Sequence, residues 1–337
     1  MSQTPFPLRT ERLTLRFVGE QDVAALTAYR NDPAVAALQD WELPYPREKA
    51  AALAERHAGL TDFEPGRGHQ IAIELAGELV GDVYIGLHEH GGIADIGYSL
   101  IPSAQGRGIA FEAVSALIAD LVERLGVHRI TAELSKDNGP SIRLLERLGM
   151  TFESFSRQSF WWRGAWDDNL YYAMSAEQWR AWRDRPRTPP QIVRLVGITE
   201  DNRWRYARVR THRSQEHFCA TVHDSYADAL FPGERYGVPL VPVLRGIEAD
   251  GEPAGFLMYS EAGPYLWRFL IDRSHQGRGI GRRAMTLWLD EMRARGHTEV
   301  ETSWGQGKGS PEAFHLATGF VPTGEFEDGE ALARLTL

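Results

Sequence analysis

The pentapeptide QGRGI stands at residues 105–109 and again at 276–280. Each copy closes an apolar run, DIGYSLIPSA before the first and LWRFLIDRSH before the second, and each opens a stretch with apolar residues at three-and-four spacing. A second landmark recurs with it, LGMTFES at 148–154 and TGFVPTG at 318–324. Gly106 and Gly277 lie 171 residues apart, and Gly149 and Gly319 lie 170 apart. Near-equal intervals of this length are the mark of a duplicated domain. Between the copies, RDRPRTPPQ at 183–191 is rich in proline and charge and poor in core residues. It reads as a linker, with domains at 1–182 and 192–337.

The chain has 337 residues, 43% hydrophobic and 25% charged, which is enough for two buried cores. Its formal charge is −9. Neither half is basic, which argues against nucleic acid as a partner and suits cationic or small substrates. The opening MSQTPFPLRT lacks a charged-then-apolar leader pattern, and no run reaches the ~20 apolar residues of a membrane span. The expected location is the cytoplasm. One cysteine, Cys219, excludes an internal disulfide framework and a multi-cysteine metal site.

The first copy predicts a strand at 13–17, helices near 20–30 and 46–60, and strands at 69–75 and 79–87 around an Ala-Gly-Glu turn. A strand over ADIGYSLI then runs into the loop. The helix after it carries Val114, Leu117, Ile118, Leu121, Val122 and Leu125 on one face. A strand at 128–134, a helix entered by Asn138 with Pro140 in its first turn, and two terminal strands complete the unit. The second copy repeats this order from IVRLVGI at 192–198, with a turn at Asp328-Gly329. Its stretch 211–242 reads as irregular.

Strand, glycine loop, helix is the arrangement that aims unpaired backbone N–H groups and a positive helix end at an anion. Phosphate is the expected one. Glycines let phosphate oxygens approach the main chain, and Arg107 and Arg278 add charge. Neither loop has Gly-x-Gly-x-x-Gly in a dinucleotide-binding context. In GQGKGS at 305–310, Lys308 is followed by glycine, so no Walker loop is formed.

Q-G-R-G-I-A at 105–110 and Q-G-R-G-I-G at 276–281 fit Q/R-x-x-G-x-G/A and resemble the acyl-CoA pyrophosphate loop of the GNAT superfamily of N-acyltransferases. The resemblance covers nearly the whole chain, once per half. TERLTLR at 10–16, DIGYSL at 95–100, NGPSIRLLERLGM at 138–150 and WDDNLYYAM at 166–174 resemble the ribosomal-protein N-terminal acetyltransferase (Rim-type) branch. LWRFLIDRSHQGRGIGRRAM at 266–285, GKGSPEAFHLATGF at 307–320 and the terminal TGEFEDGEALARLTL resemble the spermidine-acetyltransferase-like, small-amine branch. The implied fold class is α/β (α+β), two tandem GNAT-like domains, each a twisted mixed sheet flanked by helices. The implied activity is transfer of an acetyl group from acetyl-CoA, as cosubstrate, directly to a primary amine.

That chemistry needs a base for the amine, a proton or hydrogen bond for the leaving thiolate, and N–H donors for the developing oxyanion. The resemblance implies that Tyr98, Ser99 and Leu100, and Phe269, Leu270 and Ile271, run beside the pantetheine arm. It implies that Gln105, Gly106, Arg107, Gly108, Ile109 and Ala110, and Gln276, Gly277, Arg278, Gly279, Ile280 and Gly281, hold the pyrophosphate. Asp95 stands where the Rim-type pattern has an acidic residue and is the candidate base. Ser141 is a candidate partner of the CoA sulfur, or a helix-end hydrogen bonder. Asn138 has the same two readings, with capping favoured. His315 stands where the small-amine branch has a tyrosine acid, so either His315 replaces that acid or the second domain keeps CoA binding without turnover.

Acceptor binding falls to the less regular early part of each unit. Gln215 and Glu216 come near the cleft by resemblance, and Glu216 or Glu261 is a candidate for attracting a cationic amine. The tryptophans of SFWWRGAW at 159–166 read as core or interface packing ahead of a substrate wall. The histidines, His88 and His90 included, lack a supporting ligand set, and no metal is expected. The resemblance implies a small amine or a peptide N-terminus as acceptor, and a monomeric pseudo-dimer or a homodimer. Three arrangements stay open: both domains catalytic, one catalytic beside a degenerate CoA-binding one, or a non-catalytic acyl-CoA sensor.

Overall fold

In the computed structural model, which describes residues 6–337, the first repeat opens with strands β1 (Leu8–Arg9) and β2 (Leu13–Phe17). Helices α1 (Val23–Arg30), α2 (Pro33–Ala36) and α3 (Arg47–His57) follow. Then come β3 (Arg67–Leu75), β4 (Glu78–Leu87) and β5 (Ile93–Leu100). The turn between β3 and β4 holds Ala76 and Gly77 at φ of 52° and 87°, the mirror-image geometry that suits a twisted hairpin. After the glycine loop come α4 (Ile109–Glu123), β6 (Arg129–Ser135), α5 (Gly139–Leu148), β7 (Thr151–Trp162), β8 (Ala165–Ser175) and α6 (Ala176–Asp184). The strands form one sheet in the order β1-β2-β3-β4-β5-β6-β8-β7, in which only β5 and β6 are parallel. Val114, Leu117, Ile118, Leu121 and Val122 of α4 are buried in its core, as their spacing requires.

A second compact unit begins at Arg185. It contains β9 (Val193–Gly197), α7 (Arg203–Tyr206), α8 (Val222–Leu230), a small hairpin of β10 (Glu234–Arg235) and β11 (Val238–Pro239), then β12 (Pro242–Ala249), β13 (Glu252–Ser260) and β14 (Tyr265–Ile271). The glycine loop leads into α9 (Ile280–Ala294), followed by β15 (Glu299–Gly305), α10 (Glu312–Ala317), β16 (Val321–Glu327) and β17 (Glu330–Thr336). The sheet order is β16-β17-β15-β14-β13-β12-β9, again with one parallel pair, β14 and β15. The stretch 211–242 is more regular than expected, since α8 and the small hairpin lie in it. α6 runs to Asp184, two residues past the expected boundary. Among the described residues no helix is long and apolar enough to cross a membrane.

The parallel pair in each sheet is a fork. β5 meets β6 at three rungs only, the last being Asp95 opposite Thr131, and from Ile96 to Leu100 it keeps β4 and loses β6. β14 meets β15 at Tyr265–Glu301 and Leu266–Thr302, then parts in the same way. One difference decides how the copies superpose. On β14, Arg268 faces Met258 and Leu266 faces Tyr259, so Trp267 is an extra, bulged residue, whereas β5 has no bulge. Residues before the bulge are therefore offset by 170 and the loop after it by 171. The residue is recovered before β15, because α4 and α9 start 171 apart but β6 and β15 start 170 apart.

Candidate active site

Gly106 and Gly108 have φ of 70° and 77°, and Gly277 and Gly279 have 76° and 76°. These are left-handed conformations that a β-carbon disfavours. Space is not the reason for glycine here. A β-carbon would meet nothing within 4 Å at Gly106, Gly277 or Gly279, and at Gly108 only Arg12 Nη2 at 3.7 Å. The loops are thus open at these glycines, and they deliver the unpaired N–H groups at the starts of two 15-residue helices. Ile109 and Ile280 are buried and pin those first turns to their cores. At Gly281 a β-carbon would come within 3.3 Å of Phe314, while the first copy has room for Ala110.

The two glutamines clamp the loops. Gln105 Nε2 donates to Leu100 O at 3.1 Å, and Gln276 Nε2 donates to Ile271 O at 3.0 Å, so each side chain ties its loop to the last residue of the preceding strand. The two arginines diverge. Arg107 is exposed, whereas Arg278 is buried and its Nε donates to Thr188 O at 2.9 Å. Arg283 donates to the carbonyls of Pro190 (2.6 Å) and Gln191 (2.9 Å), so residues 188–191 are held against the second loop and its helix.

In the first fork, Asp95 accepts a hydrogen bond from the Thr131 hydroxyl, and its Oδ2 lies 2.9 Å from His88 Nε2. Thr131 was not singled out from sequence, and His88 was weighed there only as a metal ligand. Their signal is the register of the β4–β5 hairpin and of the parallel rung, which only folding specifies. Ile96, Tyr98 and Leu100 belong to the core on the α4 and α5 side, and Asp95 lines the opposite face with buried Ser99. The five residues 96–100 span about 17 Å at ~3.3 Å per residue, with alternate N–H and C=O groups turned to the opened side. Tyr98 OH donates to Ser141 O at 3.2 Å, which ties β5 to the first turn of α5 across the fork, and burial pushes its phenol pKa up. Asn138 caps α5 by accepting from Ser141 N at 3.2 Å, so its side chain is engaged at the helix end.

A cleft of about 1020 Å³ opens on the Asp95 face. Seven carboxylates line it, including Asp40, Asp82 and Glu133, against two arginines, each paired with one of those acids: Arg30 with Asp82 and Arg129 with Glu153. The walls are aromatic. Phe160, Trp162 and Trp166 of the β7–β8 hairpin line it with Trp41 and Tyr84. Trp161 and Trp166 are 57% and 58% exposed, so these two rings are not core packing.

The second unit differs at several named positions. Phe269 follows the bulge at the place of Tyr98 and stacks on Phe314 of α10, with centroids 5.4 Å apart. Leu270 and Ile271 point to opposite cores. His315 is 5% exposed, lies parallel to Trp304 at 5.2 Å, and its Nδ1 has no hydrogen-bond partner among the described residues. Burial lowers its pKa to about 4, so at neutral pH it carries no acidic proton of imidazolium type. Gln215 exchanges amide hydrogen bonds with Gln276, at 2.9 Å and 3.3 Å, which makes it a neighbour of the loop clamp. Glu216 pairs with Arg213 and Glu261 with Arg295, so neither offers an uncompensated charge to an amine.

Two family profiles match the chain, "Acetyltransferase (GNAT) domain" over residues 12–151 and "Acetyltransferase (GNAT) family" over residues 198–314. The uncharacterized N-acetyltransferase YoaA of Bacillus subtilis (strain 168) is 32% identical over 171 residues, which is 49% of this chain and 96% of that protein. The [ribosomal protein uS5]-alanine N-acetyltransferase of Escherichia coli (strain K12) is 33% identical over 84 residues, 25% of this chain and 43% of that one. A crystal structure of a GNAT-family acetyltransferase from Bacillus anthracis aligns with a TM-score of 0.46 at 25% identity, covering 51% of this chain and 99% of that one.

Proposed function

The chain belongs to the GNAT acetyltransferase family, and from that premise we propose that its first unit transfers an acetyl group from acetyl-CoA directly to a primary amine seated in the acidic cleft. The observation that carries this reading is the place of Asp95. It sits where β5 leaves β6, at one end of the open strand edge whose other end is clamped to the glycine loop. The loop N–H groups of 106–110 suit a pyrophosphate, and the edge 96–100 suits an extended arm running from it to Asp95.

Asp95 takes the proton that the amine nitrogen sheds as the C–N bond forms, directly or through a water, and Thr131 and His88 hold its carboxylate in place. Backbone N–H groups of the opened edge supply donors for charge on the thioester oxygen. The cleft carboxylates favour a cationic acceptor, and the tryptophan faces add cation–π attraction. No residue is needed to carry the acetyl group covalently.

Asp95→Asn tests the reading. We expect kcat to fall about 10²-fold or more with acetyl-CoA affinity unchanged. An Asp95→Asn chain with undiminished turnover on an amine that requires the first loop would remove Asp95 as the base.

A further inference from the structure

Before the bulge the two units are offset by 170 residues, so the rung Asp95–Thr131 of the first fork corresponds to Tyr265–Glu301 of the second. Tyr265 therefore holds the place of the carboxylate. Its hydroxyl lies 2.7 Å from Ser303 Oγ on β15, and Ser303 in turn donates to Glu330 Oε2 on β17. A serine has one hydroxyl proton. Since Ser303 gives it to a carboxylate, the Tyr265–Ser303 bond must have the phenol as donor. The three groups form a directed chain from the fork to an acid on the next strand but not in the fork itself.

The ring is fixed as well as bonded. The guanidinium of Arg235 lies 3.8 Å from the Tyr265 ring centroid, and it is buried and ion-paired with Glu301 at 3.1 Å and Glu327 at 2.9 Å. Burial also raises the phenol pKa, which keeps Tyr265 protonated at neutral pH. A phenol held in this way has both a proton to pass on and a lone pair to receive one.

We propose that Tyr265, Ser303 and Glu330 form a second amine-deprotonating site, through which the second unit acetylates a primary amine independently of Asp95. The inference rests on the acetyl-CoA reading of the glycine loops. As the amine nitrogen bonds to the thioester carbon, its proton passes to Tyr265 Oη, the phenol proton passes to Ser303 Oγ, and the serine proton passes to Glu330. The C–S bond breaks, the CoA thiolate takes a proton from solvent, and Glu330 later returns its proton to solvent. Tyr265 is the catalytic residue here, while Ser303 and Glu330 act through it. His315 has no part in the path.

The test uses the full chain carrying Gly108→Glu, which places a carboxylate in the first phosphate loop. Acetyl-CoA binding is followed by calorimetry and CoA release with ethanolamine, benzylamine, 1,4-diaminobutane and glycyl-alanine as acceptors. We expect one remaining acetyl-CoA site and turnover with at least one acceptor. The isosteric changes Tyr265→Phe and Glu330→Gln should each lower kcat about 10²-fold and leave KM and the acetyl-CoA Kd within twofold. Ser303→Thr, which keeps a hydroxyl, should retain activity that Ser303→Ala loses. Turnover unaffected by Tyr265→Phe and Glu330→Gln overturns the proton path. One acetyl-CoA site without turnover on any acceptor overturns the second activity. Loss of binding at both loops in unmutated protein would instead sink the acetyl-CoA reading beneath it.

Discussion

Tyr98 and Phe269 stand at the same place in the two forks and bridge them by different chemistry. The Tyr98 hydroxyl donates to the Ser141 carbonyl, and the Phe269 ring stacks on Phe314. Both contacts tie the open strand to the helix that follows the next strand. The first can be lost by removing one atom. Tyr98→Phe is expected to lower the stability of the first unit by about 1 kcal/mol, read from urea denaturation, with no effect on acetyl-CoA bound at the second loop. An unchanged midpoint would mean that water replaces the phenol at no cost.

The glutamine clamps should matter to affinity more than to folding. Gln105→Leu or Gln276→Leu frees a strand carbonyl and lets the loop relax, so acetyl-CoA binding at that loop should weaken by about fivefold, the size of one hydrogen bond. Calorimetry on the paired single variants separates the two sites. Equal affinity in variant and parent would leave the glutamines as bystanders.

At Gly279 a β-carbon would meet no atom within 4 Å, so only the backbone angle of 76° stands against alanine. Gly279→Ala should therefore weaken acetyl-CoA at the second loop by about tenfold, the equivalent of ~1–2 kcal/mol of left-handed strain. A full-affinity loop after this change would show that the loop adopts another geometry when it binds.

His315 predicts an acid-dependent stability of the second unit. Its folded pKa of about 4 lies below the ordinary value of 6.5, so the unfolded chain binds more protons between those values. Stability is complete above about pH 6.5 and is lost as pH falls toward 4, by about 3 kcal/mol. His315→Phe should flatten that part of the stability profile in urea titrations from pH 7 to 4. A parallel acid loss in the variant would assign the effect to other groups.

Arg278 and Arg283 together place three hydrogen bonds on the carbonyls of residues 188–191. Arg283→Met removes two of them. Trypsin should then cut at Arg187–Thr188 several-fold faster than in the parent, because proteolysis follows the population of the released segment. Identical cleavage rates would show that Arg278 alone holds it.

Local patterns carried most of the fold. The repeated QGRGI, the three-and-four spacing of α4, the capping Asn138 and the Asp328-Gly329 turn each act over a few residues, so their meaning is legible in order along the chain. The family and the two glycine loops followed from those short stretches. Residues whose role depends on partners far away in the chain were harder to read: the tryptophans of 159–166, Gln215 and Arg278 have ordinary side chains whose placement depends on a sheet edge, a loop neighbour and a linker.

By itself the sequence determined a duplicated α/β architecture and two glycine loops, because hydrophobic period and backbone freedom are properties of consecutive residues. Only the tertiary structure decided which residue stands at each fork. The single bulged residue Trp267 shifts the second fork by one position, and a one-residue shift turns every preceding strand side chain to the other face. That shift, which leaves almost no trace in the spacing of the repeats, puts Tyr265 where the first unit has Asp95.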